Sequence, residues 1–125
     1  MRVVITGGGT GGHIYPAVAI ANAIQKKWPR AEILYVGTET GMEKKIVPQT
    51  GIDFITIDVI GWQRKISLQA VKALWKVLIG MHQADRIIHD FYPHLVIGTG
   101  GYVCLPVVWS AAQKGIPALI HEQNV

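Results

Sequence analysis

The chain has 125 residues, half of them apolar and 16% charged, which suffices for one buried core, is too short for two domains, and is too apolar for a disordered segment. Its net charge of +4 favours an acidic partner, and with no RNP-like aromatic motif, zinc-finger spacing or dense basic tract, nucleic acid is the weakest choice against phosphorylated ligands and anionic lipid. The single cysteine, Cys104, excludes an internal disulfide framework and reads as a small buried hydrophobe in a reducing compartment.

Short β-branched runs alternate with longer helical segments, the pattern of repeated βα units and a parallel sheet. Residues 2–6 read as the first strand and Gly7–Gly12 as a loop. A helix follows over 15–28, with Pro16 in its first turn and Val18, Ala21, Ile24 and Trp28 at helical spacing. A second strand over 31–36, a short helix over 42–50 and a third strand over 53–59 come next. Ser67 suits the cap of a long helix reaching 91, with a possible break at Gly80. A fourth strand at 95–98, a fourth helix at 105–114 and a fifth strand at 118–121 complete the series. The expected fold is a Rossmann-like, doubly wound α/β sheet occupying 1–125. An open sheet of this kind usually covers its last strand with a helix, so the end at Val125 reads as a truncation. Met1-Arg2 leads straight into a strand-like run, and no stretch approaches the ~18 apolar residues of a membrane span. The expectation is a cytoplasmic protein able to lie on a membrane surface.

Ligands of such sheets bind beyond the carboxyl ends of the strands, where strand order reverses. With strand order 3-2-1-4-5 that crevice lies between strands one and four. Each of these is followed by a glycine-rich loop, Gly7-Gly8-Gly9-Thr10-Gly11-Gly12 and Gly98-Thr99-Gly100-Gly101. Glycines let backbone N–H groups approach a ligand, and each loop feeds a helix N-terminus that favours an anion. A diphosphate is the natural occupant, and a side chain added at Gly12 or Gly101 is expected to crowd it. His13 follows the first loop, Tyr102 the second, and His121, Glu122 and Asn124 the fifth strand. A histidine in that place can accept a proton from a sugar hydroxyl at neutral pH. His82, His89 and His94 lack ligand spacing and read as surface residues, and no metal motif is present. Gly7, Gly9 and Gly12 also fit the dinucleotide fingerprint G-x-G-x-x-G, which needs an acid at the end of strand two. Glu32 falls at the wrong end of that strand, while Glu39 keeps a dinucleotide-binding domain as an alternative.

The run Gly8-Gly9-Thr10-Gly11-Gly12-His13-Ile14-Tyr15-Pro16-Ala17 resembles the first glycine loop of the MurG family. Three further stretches match in order: Gly37-Thr38 with Met42-Glu43 and Val47-Pro48, then Gly100-Gly101-Tyr102, then His121-Glu122-Gln123-Asn124. The resemblance spans the chain and is weakest between Asp53 and Phe91. It implies the N-terminal, acceptor-side half of a two-domain GT-B glycosyltransferase whose C-terminal donor domain lies outside this chain. The implied reaction carries N-acetylglucosamine from UDP-N-acetylglucosamine to the 4-hydroxyl of undecaprenyl-diphosphate-linked N-acetylmuramoyl-pentapeptide, with inversion and without a cofactor or metal. By resemblance His13 is the base, and Thr10, Gly11, Gly12 and Asn124 reach the donor sugar. The acceptor diphosphate falls to Gly9, Gly100, Gly101 and Tyr102, with His121, Glu122 and Gln123 in support. By itself the chain is expected to be inactive. A membrane-recruiting subunit of a split glycosyltransferase is the other reading.

Residues 62–81 alternate Ile66, Leu68, Val71, Leu74, Trp75, Leu78 and Ile79 with Arg64, Lys65, Lys72 and Lys76. Such a face either packs on the sheet or lies in a lipid interface. The polyprenyl acceptor implied by the resemblance favours an anionic membrane surface, on its cytoplasmic side, touched by Trp62, Lys65, Lys72, Trp75 and Lys76.

Overall fold

The alternation of β-branched and helical segments resolves into β1 (Arg2–Thr6), α1 (Gly11–Lys27), β2 (Glu32–Gly37), α2 (Glu43–Gln49), β3 (Asp53–Thr56), α3 (Leu68–Phe91), β4 (Leu95–Gly98), α4 (Cys104–Gln113) and β5 (Ala118–Ile120). The computed structural model describes residues 1–58 and 68–121, with backbone alone for 68–73. All strand pairs are parallel, in the order β3-β2-β1-β4-β5. Strand order therefore reverses at β1 and β4, whose register pairs Thr6 with Gly98 and brings their two following loops side by side.

Because side chains alternate along a strand, each face of the sheet carries its own core. Val4, Val36 and Val96 meet Ala84 and Ile88 of α3 and Val107 and Ala111 of α4. On the other face, Val3, Ile5, Ile33, Tyr35 and Ile97 meet Ile14, Ala17 and Ala21 of α1 and Val47 of α2. The buried stripe of α1 is thus Ile14, Ala17 and Ala21, while Trp28 is 46% exposed.

Helices α1 and α3 differ from the sequence expectation for physical reasons, and β3 ends at Thr56, short of the expected 59. Helix α1 starts at Gly11, not at 15, because extended Thr10 (φ −128°, ψ 158°) presents its carbonyl to the N–H groups of His13 and Ile14 at 3.1 and 3.2 Å. Gly11, Gly12 and His13 accordingly belong to the first helical turn and not to the loop. Pro16 lies inside α1 and has no N–H to give to the Gly12 carbonyl. Helix α3 continues through Gly80, which is buried. Gly80, Ala84 and Ile88 recur four residues apart, so this close-packed stripe offsets the ~1 kcal/mol that a helical glycine costs. Ser67 lies outside the described residues.

Candidate functional site

Strand β1 ends at Thr6, and Gly7 and Gly8 are still buried. The Gly8 N–H donates to the Gly100 carbonyl at 3.2 Å, so the two glycine loops are bonded to each other. A side chain at Gly101 (φ +91°) would place its Cβ 2.4 Å from the Gly8 oxygen. One at Gly100 (φ +119°) would come within 2.8 Å of the His13 ring. Glycine is required at both positions by backbone angle and by space.

His13 is part-buried in this junction. Its Nδ1 lies 3.2 Å from the Gly8 carbonyl. A carbonyl only accepts, so the contact forms when Nδ1 carries the proton, and in the neutral ring Nε2 is then the basic nitrogen. Thr99 is 1% exposed and donates its hydroxyl to the His13 carbonyl at 2.6 Å, while its N–H bonds the Thr6 carbonyl at 2.9 Å. Helix α1 brings first-turn amides, which lack intrahelical acceptors, to the same edge.

Four side chains that the sequence does not mark as site residues hold these loops. Tyr35, fully buried on β2, donates its phenol to the Gly7 carbonyl at 2.6 Å. Burial, aided by the nearby Glu43 charge, pushes this phenol well above its ordinary range, so it stays a donor. The Glu43 carboxylate, fully buried at the start of α2, accepts the Gly9 N–H at 3.2 Å. Cys104 sits between Gly100 and Thr6, its sulfur receiving the Gly100 N–H at 3.3 Å and its S–H facing the Gly100 and Thr6 carbonyls. Burial raises the thiol and keeps it protonated. Cys104 is therefore only partly buried and serves as a polar pin, not the plain hydrophobe expected. Thr99 is the fourth. Glu43 alone had a signal of its own, through the stretch Gly37-Thr38 with Met42-Glu43 that carries the family resemblance.

The expected site residues fall into three groups. Gly9, Thr10, Gly11, Gly12, His13, Gly100, Gly101 and Tyr102 gather on the two loops and the helix starts beyond them. Gly9 (φ +90°) is exposed with open space around it, and its N–H donates to Glu43. Tyr102 is 56% exposed. His121 directly follows β5, and its N–H donates to the Gly98 carbonyl at 2.7 Å. Glu122, Gln123, Asn124, Trp62 and Lys65 lie outside the described residues, as does the side chain of Lys72 on α3. Trp75 and Lys76 are exposed on α3.

Glu39, the acid that kept a dinucleotide possible, is engaged with Lys44 and with the Thr56 hydroxyl. Those contacts, Lys44 first, hold its carboxyl below the usual range. A cavity of about 430 Å³ lined by Asn22, Gln25, Glu32 and Asp53 lies at the amino ends of β2 and β3, the end opposite the glycine loops. Among the described residues no group of three His, Cys, Asp or Glu side chains is placed to hold a metal ion.

Residues 3–125 match the model of the glycosyltransferase family 28 N-terminal domain. A UDP-N-acetylglucosamine–N-acetylmuramyl-(pentapeptide) pyrophosphoryl-undecaprenol N-acetylglucosamine transferase of Caldanaerobacter subterraneus is 56% identical over 124 residues, 99% of this chain and 34% of its own length. The protein of the same name from Desulforamulus reducens is 58% identical, over 99% of this chain and 33% of its length. The crystal structure of Acinetobacter baumannii MurG superposes with a TM-score of 0.83 at 34% identity, covering 98% of this chain and 35% of that one. The calicheamicin glycosyltransferase CalG4 shares the fold, with a TM-score of 0.65 at 17% identity. The chain spans about a third of the length of the curated relatives it matches. The sheet order, the paired glycine loops and the match over 3–125 agree: the chain belongs to glycosyltransferase family 28, as its N-terminal domain.

Proposed function

We propose that the chain is the acceptor-side half of an inverting N-acetylglucosaminyltransferase. It takes undecaprenyl-diphosphate-linked N-acetylmuramoyl-pentapeptide as acceptor and works with a donor domain that holds most of UDP-N-acetylglucosamine. The observation that carries this reading is the bonding of the two glycine loops to each other around His13. The joined loops bring together the starts of α1 and α4, whose first-turn amides suit a diphosphate. The names and identity of the relatives supply the substrate class.

In this mechanism His13 Nε2 accepts the proton of the acceptor 4-hydroxyl as that oxygen attacks C1 of the donor sugar. The C1–O bond to UDP breaks, and UDP departs with the electron pair. The Gly8 carbonyl fixes the tautomer that leaves Nε2 basic, and Thr99 anchors the histidine's backbone. Thr10, Gly11, Gly12 and Asn124 face the donor, and Gly100, Gly101 and Tyr102 the acceptor diphosphate. Gly9 and Gly100 serve by the turns they permit, since Glu43 and Cys104 take their amides. The exposed apolar stretch 74–79 of α3, with Lys76, meets an anionic membrane surface where a polyprenyl acceptor resides.

The test supplies UDP-N-acetylglucosamine and a short-chain lipid-linked acceptor to this chain and to the chain joined to a relative's donor domain. UDP release is expected from the joined protein alone. Steady turnover by the isolated chain, or none by a folded joined protein, would overturn the reading.

A further inference from the structure

Glu43 is an unusual residue to find beneath an anion-binding loop. Its side chain is fully buried, and among the described residues no cation is paired with it. Three donors converge on it: the Thr38 N–H at 2.8 Å and hydroxyl at 2.7 Å on Oε1, and the Gly9 N–H at 3.2 Å on Oε2. The surrounding wall is glycine. A Cβ at Gly8, Gly37 or Gly41 would lie 2.1–2.5 Å from Glu43 side-chain atoms. The Thr38 hydroxyl also accepts the Gly41 N–H at 3.0 Å, which closes the turn leading into α2. The carboxylate thus joins the β2–α2 turn to the first glycine loop, which are 34 residues apart in sequence.

We infer that Glu43 is the positioning residue that sets the shape of the first glycine loop. By drawing the Gly9 N–H inward it holds Gly9 at φ +90° and directs the following residues to the start of α1. A carboxylate is needed because two backbone N–H groups bind different oxygens. A glutamine side chain offers one oxygen, so in either orientation its NH₂ faces a backbone N–H. The consequence for ligand binding rests on reading the loops as a diphosphate cradle; the loop anchoring itself does not.

The electrostatic sign separates this role from simple filling of space. Neutralising a buried negative charge near an anion site removes repulsion and should tighten anion binding. Loss of loop positioning weakens it. Long-range HNCO spectra of the ¹³C,¹⁵N-labelled chain should show a coupling across the hydrogen bond between the Gly9 nitrogen and the Glu43 carboxyl carbon. Glu43→Gln, with an unchanged far-ultraviolet spectrum, should lose protection of the Gly9 amide from hydrogen exchange. It should also bind inorganic pyrophosphate about tenfold more weakly, the size of one charge-assisted hydrogen bond. Absence of the coupling, or a folded Glu43→Gln with equal or tighter pyrophosphate binding, overturns the inference. If Glu43→Gln does not fold, Thr38→Val removes one donor and leaves the carboxylate. It should weaken pyrophosphate binding by a smaller factor, and unchanged binding overturns the inference. A wild-type chain that shows the coupling yet binds no pyrophosphate supports the anchoring and refutes the diphosphate reading.

Discussion

The Tyr35 phenol reaches the Gly7 carbonyl from a position with no solvent exposure, so Tyr35→Phe leaves a buried oxygen without a donor. That should cost roughly 1–3 kcal/mol, read as a lower midpoint in urea at an unchanged slope. An unaltered midpoint would mean that water or a shifted loop replaces the hydroxyl. His13 should behave in the opposite way, affecting rate more than stability. In the complete enzyme His13→Ala is expected to lower kcat by about 10²–10⁴ with much smaller changes in both KM values, since the loss falls on proton transfer in the transition state. Near-wild-type kcat across the pH range would leave His13 a structural part of the loop junction. The difference between these residues also explains which was legible. His13 directly follows a glycine loop, where an imidazole has few structural uses. Tyr35 stands in an apolar strand run, where alternation marks it as core and says nothing of where its hydroxyl points. Thr99 and Cys104 are hidden likewise, because their partners lie up to 98 residues away in sequence.

Among the elements, the glycine loops respond to substitution unequally. Gly101→Ala forces a side chain against the Gly8 carbonyl at a backbone angle that L-residues rarely adopt. It should lower Tm and weaken pyrophosphate binding, with overpacking alone costing about 1–3 kcal/mol. Gly12 differs from Gly101 in its protein surroundings, since a Cβ there meets only the Thr10 hydroxyl, at an ordinary 3.6 Å. Gly12 lies in α1, where alanine is the better helix former by up to about 1 kcal/mol. Gly12→Ala should therefore leave Tm level or raise it. Equal losses from both variants would contradict the contact geometry. The start of α1 at Gly11 also departs from the sequence expectation. The glycines read as loop when judged by propensity and Pro16 as a first-turn residue, but packing of Ile14 and Ala17 on the sheet carries the helix back to Gly11. The strands and their 3-2-1-4-5 order were legible because β-branched runs between helical segments leave few ways to build a parallel sheet. The join between the loops was not, because it depends on backbone bonds between distant turns.

For the molecule as a whole, the two ends of α3 have different surroundings. From Gly80 onward the helix buries Ala84 and Ile88 against the sheet, whereas every residue from 74 to 79 is exposed, including Leu74, Trp75, Val77, Leu78 and Ile79. A contiguous apolar patch of this kind is uncommon on a monomer unless it binds something. Among the described residues no helix is long and apolar enough to cross a membrane. With Lys76 in the same stretch and a net charge of +4, an anionic lipid interface is the expected contact. Each lysine at such a surface should contribute about 1 kcal/mol, falling as salt shortens the screening length to ~10 Å at 0.1 M. Tryptophan burial at the headgroup level adds a part that salt does not remove. Binding to anionic vesicles should therefore weaken with salt without vanishing. Changing Lys65, Lys72 and Lys76 together to glutamine should abolish the salt-sensitive part. Trp75→Ser should reduce the remainder and leave Tm unchanged, because a side chain 64% exposed contributes little to the core. If instead the stripe closes on the protein itself, Trp75→Ser lowers Tm and leaves vesicle binding alone. Equal binding to neutral and anionic vesicles at low salt would likewise refute the interfacial contact.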